Sequence, residues 1–160
     1  MHRRIMLGLC MAASFASLLI AESSFAQQSL KEQLVGAWML VSITSKLPDG
    51  TPVWGENPVG LLVLTSSGHY SLQIMRSDLP KYVSNNRTQG TPEEYKAIGI
   101  GSIANFGTYT VDEEKKTFTI TYDGSTFPNR KGAKETRPFV IEGDQLRITN
   151  PAPSSGGESS

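Results

Sequence analysis

From residue 35 onward the apolar positions fall in short runs, and several runs alternate apolar and polar side chains with a period of two. That period belongs to strands that bury one face. Residues 117–122 (TFTITY) place Phe118, Ile120 and Tyr122 on one side, and residues 136–142 do the same with Arg137, Phe139 and Ile141. Residues 145–149 add Leu146 and Ile148. Residues 35–46 (VGAWMLVSITSK), 59–65 (VGLLVLT), 69–76 (HYSLQIMR) and 106–111 (FGTYTV) are rich in β-branched and aromatic residues and read as four more strands. Turn residues divide them: Pro48-Asp49-Gly50, Ser66-Ser67-Gly68, residues 112–116, and Gly143-Asp144. Seven short strands at this spacing predict a mainly β, antiparallel barrel or sandwich.

One segment breaks the pattern. Thr91-Pro-Glu-Glu is a capping box with proline in the first turn, and it predicts a short helix over residues 92–103. Gly99 and Gly101 weaken that helix, at about 1 kcal/mol each in an interior position. The polar stretch 78–90 before it reads as a long loop. Residues 151–160 (PAPSSGGESS) hold one apolar residue, Ala152, and are expected to form a disordered tail.

The N-terminus has a different composition. Met1-His-Arg-Arg is a basic start, residues 5–21 are an apolar run, and Ser24-Phe25-Ala26 supplies small residues where a signal peptidase reads. These features predict a secretory signal peptide over residues 1–26, a domain over 27–150, and export to the periplasm or medium. Cleavage after Ala26 removes Arg3, Arg4 and Glu22, and leaves 134 residues with 13 basic and 14 acidic side chains. Cys10 and His2 leave as well, so His69 is the only histidine of the mature chain and no cysteine remains. This excludes disulfides, a cysteine nucleophile and a His/Cys metal cluster, and no cofactor is expected. Near-zero charge gives neither the basic field that nucleic acid requires nor a polybasic patch for a membrane surface.

Six segments, in order, resemble the bacterial lipocalin-like domain family of small calycin-type barrels. They are Leu34-Val-Gly-Ala-Trp38-Met-Leu-Val-Ser42, Asn57-Pro-Val-Gly-Leu-Leu62, Ser71-Leu-Gln-Ile-Met-Arg76, Gly90-Thr-Pro-Glu-Glu-Tyr95, Phe106-Gly-Thr-Tyr-Thr-Val-Asp112 and Gly124-Ser-Thr-Phe-Pro-Asn129. The resemblance implies an up-and-down barrel opened by a Gly-x-Trp motif, here Gly36 and Trp38. It implies an aromatic after Phe-Pro-Asn, where this chain has Arg130. It also implies one further strand past Gly156-Gly157, whereas the sequence stops at Ser160. The expected barrel therefore lacks the strand that would close it against the first, and an open edge is where a second copy would pair.

Candidate site residues follow from strand parity. Arg137 shares a face with apolar side chains, so it needs a buried partner. The resemblance implies stacking over Trp38; binding a ligand carboxylate and solvent exposure are the alternatives. On residues 69–76 one face carries Tyr70, Leu72, Ile74 and Arg76, the other His69, Ser71, Gln73 and Met75. If the second face looks inward, Gln73 and Met75 line a cavity; if the first does, Tyr70, Leu72 and Ile74 pack a core. Tyr109, Tyr122 and Phe127 are further lining candidates. Trp54 sits on the loop expected to cross the barrel mouth, as a lid or as a staple. His69, Ser71 and the aspartates form no recognisable triad, and Glu93 and Glu94 are explained by helix capping.

Two functions fit. In the first, the barrel binds a small, mostly apolar molecule inside, without covalent chemistry. In the second, it is a cyclase- or isomerase-like enzyme steering an apolar substrate with Gln73, Tyr109, Tyr122 and Arg137. A truncated relative without a ligand is the third expectation.

Overall fold

A computed structural model describes residues 28–47 and 49–155. The proposed leader and the Gly156-Gly157 segment lie outside these residues. Seven strands run in sequence order as an antiparallel meander: β1 (Gly36–Met39), β2 (Val59–Leu64), β3 (His69–Met75), β4 (Ser102–Asp112), β5 (Thr117–Ser125), β6 (Lys134–Glu142) and β7 (Gln145–Ile148). Each pairs with its sequence neighbour, and the sheet curls into a nearly closed barrel. Among the described residues no ladder joins β7 to β1, so the barrel keeps a seam there.

The first strand is shorter than residues 35–46. After Leu40, whose amide still donates to the Gly60 carbonyl of β2, the chain folds into a local loop in which Val53 donates to the Ser45 carbonyl and Leu47 to the Thr51 carbonyl. Leu40, Ile43 and Leu47 then pack on a small cluster of buried Val53, Trp54 and Ile74. Apolar residues that read as a strand here form an end plug.

Two helices flank the sheet. α1 (Leu30–Leu34) was not anticipated, although Ser29 and Glu32 form a complete capping box. It drives Leu34 into the main core, where that side chain is fully buried. α2 (Pro92–Gly101) starts at the expected Thr91 cap but stops two residues early, because Ser102 already pairs with Met75. Its Glu94 is buried and also accepts from the Val83 amide at 2.9 Å, which pins the polar loop before the helix.

The main core contains Leu34, Leu62, Leu64, Tyr70, Tyr109, Phe118, Ile120, Tyr122 and Phe139. Alternation on β5 and β6 is as read: Phe118, Ile120 and Tyr122, and Arg137 with Phe139, point inward. On β3 it is Tyr70 and Ile74 that are buried. Gln73 and Met75 lie on the opposite, outer face, so the reading that sent them into the interior gives way to the one that packs Tyr70, Leu72 and Ile74 there.

Gly107 holds the middle of the sheet. It pairs with Tyr70 on one side and Tyr122 on the other, at a bulge between Phe106 and Gly107. A Cβ at this position would stand 2.0 Å from the Thr121 carbonyl oxygen. Without one, the flanking rings meet edge to face with centroids 6.4 Å apart.

Candidate functional site

The row Tyr70–Gly107–Tyr122 points into the barrel, and β6 brings two more polar side chains to it. Register places Glu135 opposite Ile120 and Arg137 opposite Phe118, so both lie on the inward face beside Tyr122. The one-turn 3₁₀ helix η1 (Pro128–Arg130) swings Arg130 to the same corner. There Glu135 accepts from three donors. Arg137 Nε reaches its Oε1 at 2.8 Å, while Arg130 Nη1 at 2.8 Å and the Tyr122 hydroxyl at 2.7 Å share Oε2. The Tyr122 oxygen in turn accepts from Arg137 Nη2 at 3.1 Å and from Arg130 Nη1. Arg130 also lies over the Tyr122 ring, 5.2 Å from its centroid, and donates to the Ala152 carbonyl. That last contact holds the start of the tail against the barrel; residues 151–155 form bends and turns and no strand.

Both arginines and Glu135 are largely shielded from water. Burial in a low-dielectric corner is tolerable because every charge has an opposite partner and a hydrogen bond. Burial also holds the Tyr122 phenol above its usual range, an effect that the positive Arg137 opposes and the Glu135 carboxylate reinforces. Tyr70 is pushed up further, again by burial first.

Beside this corner lies a cavity of about 30 Å³ lined by Leu62, Tyr70, Leu72, Phe118, Ile120, Arg137 and Ile148. That is room for one or two water molecules. Arg137 is the one charged residue of the lining, and the hydroxyl of Tyr70 is itself buried and has no hydrogen-bond partner. The interior is otherwise filled by the tyrosine and phenylalanine rings of the main core.

The candidates read from sequence are only partly brought together. Arg137 and Tyr122 meet, and Arg137 lines the cavity. The implied stacking of Arg137 over Trp38 is replaced by the bonds to Glu135 and Tyr122, and the ring that carries a guanidinium is Tyr122. Trp38 instead donates its indole N–H to the Leu34 carbonyl at 2.8 Å, satisfying the end of α1. Gly36, just before it, has φ of 150°, a backbone that glycine adopts without strain. Tyr109 is buried but donates to the Thr65 carbonyl, away from the cavity. Trp54 is buried in the end plug as a staple, and Phe127 is exposed before η1. The four groups of the enzyme reading thus do not surround one cavity, since Gln73 faces outward and Tyr109 is bonded elsewhere.

Three residues of the corner were missed. Glu135 shares the parity of Arg137 two positions earlier, and that was its signal. Arg130 stood out as a departure from the aromatic the resemblance implied. Tyr70 was read only as core.

A family model described as a lipocalin-like domain matches residues 35–160. The chain belongs to the lipocalin-like domain family. The match spans all seven strands, and barrel and family together fit a ligand-binding lipocalin. Neither the curated proteins nor the solved structures contain a match to this lipocalin-like domain.

Proposed function

We propose that the protein is an exported, non-covalent binding module for a small, mostly apolar molecule held inside the barrel at the Arg137–Tyr70 cavity. The observation that carries this is the cavity itself: walls of apolar and aromatic side chains with one charged residue, Arg137, among them. Apolar walls supply affinity in proportion to area, and a few placed polar atoms fix orientation. The ligand-free cavity is too small for such a molecule. Binding therefore widens the barrel at the seam between β1 and β7, where no ladder hydrogen bonds among the described residues oppose separation.

Titration of the purified protein with a panel of fluorescent apolar probes, neutral and anionic, tests the reading. The expected result is saturable binding at one site, with a change in the emission of Trp38 or Trp54. Leu72→Trp, which fills the cavity, removes binding while cooperative melting persists. Failure of every probe to bind a protein that melts cooperatively rejects it.

A further inference from the structure

The outer side of the barrel is unevenly made. β6 and β7 turn polar and charged side chains to solvent, with Lys134, Thr136, Glu142 and Arg147 all exposed. On β1 to β4 the register lines up Met39, Leu61, Gln73 and Ala104 in one outward row. Val59 and Met75 extend this face on one side of the row, Val63 and Phe106 on the other. No outward position of β1 to β4 in these three rows carries a charge. Met39 is 71% exposed, Phe106 57% and Val59 53%, so hydrocarbon that burial would reward is left in water.

Strand spacing and rise give three rows across four strands an area of roughly 400 Å². A standard interface covers about 800 Å² per partner, with an apolar centre and a polar rim, so the face has the size of such a centre.

Charge restricts the partner. An uncharged face gives an acidic or basic surface nothing to pair with, and it lacks the lysines and arginines that hold a protein to anionic lipid. A second copy of the same face meets no repulsion. The middle row also places one amide near its centre. Gln73 Nε2 donates to the Ser71 hydroxyl, while its Oε1 and remaining N–H have no partner among the described residues. A carboxamide carries both donor and acceptor, so it is complementary to itself across a twofold axis.

We propose that two copies of this chain associate through the outer face of β1 to β4, with the twofold axis beside Gln73 and with Met39, Val59, Met75 and Phe106 buried around it. The contact uses the side chains of the face, where the sequence pointed to the free backbone edge. It lies outside the barrel and is independent of what the interior holds.

Sedimentation velocity over about 1 to 200 µM is expected to show a monomer–dimer equilibrium with a dissociation constant in the micromolar range. Gln73→Glu and Gln73→Lys each set like charges face to face, so each variant alone dimerises at least about a hundred-fold more weakly. Cooperative melting persists in both, because this side chain points outward. Mixed in equal amounts, the two variants recover a heterodimer. Met39→Lys, at an exposed position, weakens the dimer as well and decides if the Gln73 variants fail to fold. A wild-type protein that stays monomeric throughout that range overturns the proposal. If that monomer floats with phosphatidylcholine vesicles, the face belongs to a lipid surface instead. Dimerisation left unchanged by Gln73→Lys and Met39→Lys overturns this face as the contact, and failure of the mixed pair to associate overturns the axis at Gln73.

Discussion

Glu135 carries an unequal load for a single side chain. It is the common acceptor of two largely buried guanidiniums and a buried phenol. Removing its charge strands both arginines in a corner that water reaches poorly, and breaking a buried pair in this way costs about 3 to 5 kcal/mol. Glu135→Gln keeps the shape and one acceptor, so the loss is expected near the lower figure, about 3 kcal/mol. That corresponds to a fall of roughly 10 °C in melting temperature for a domain of this size. The companion variant Arg130→Met, combined with Glu135→Gln, should restore part of the loss, because one of the stranded charges is gone. Thermal unfolding of the two single variants and the double variant measures the coupling. Additive losses would mean that Arg130 and Glu135 do not act as a pair.

At the scale of elements, the glycine in the middle of β4 decides how the strands around it meet. Gly107→Ala puts a Cβ against the Thr121 carbonyl, which belongs to the backbone and cannot step aside. The bulge must open or the register slip, with a cost on the order of 3 kcal/mol and loss of the Tyr70–Tyr122 contact. Gly99→Ala is the matched control: on α2 a Cβ meets nothing within 4 Å, and the helix gains up to about 1 kcal/mol. Chemical denaturation with near-ultraviolet circular dichroism distinguishes them, and equal stability of the two variants would contradict this account. The bulge also explains what was legible beforehand. Periodicity and turn residues placed all seven strands and the α2 cap, because these are local. The Arg137–Tyr122 corner depends on register across several strands, which alternation within one strand does not carry. Arg137 and Tyr122 were visible by parity, and Glu135 carried the same parity on β6, whereas Tyr70 and Arg130 reach the corner from β3 and η1. The ends failed for another reason: residues 40–47 have strand-like composition but are captured by Val53, Trp54 and Ile74, and α1 is too short for periodicity to reveal.

For the whole molecule, the binding proposed above requires that a filled barrel open to admit a ligand. Among the described residues β1 and β7 are the shortest strands, four residues each, and each is paired with a strand on one side only. β3, β4 and β5 are longer and paired on both sides. Local opening concentrates where few ladder bonds must break, so the seam is the element that yields first. Hydrogen exchange should therefore show the β1 and β7 amides exchanging well before those of β4. A bound apolar probe bridges the two flanks, slows exchange at both, and leaves β4 unchanged. The same probe at a hundred times its dissociation constant stabilises the fold by about 2.7 kcal/mol, visible as a raised melting temperature. If β1 and β7 are protected as strongly as β4, and a probe that binds does not change them, the ligand enters elsewhere. The end plug around Trp54 is then the next place to look, because it rests on side-chain packing where the seam rests on missing hydrogen bonds.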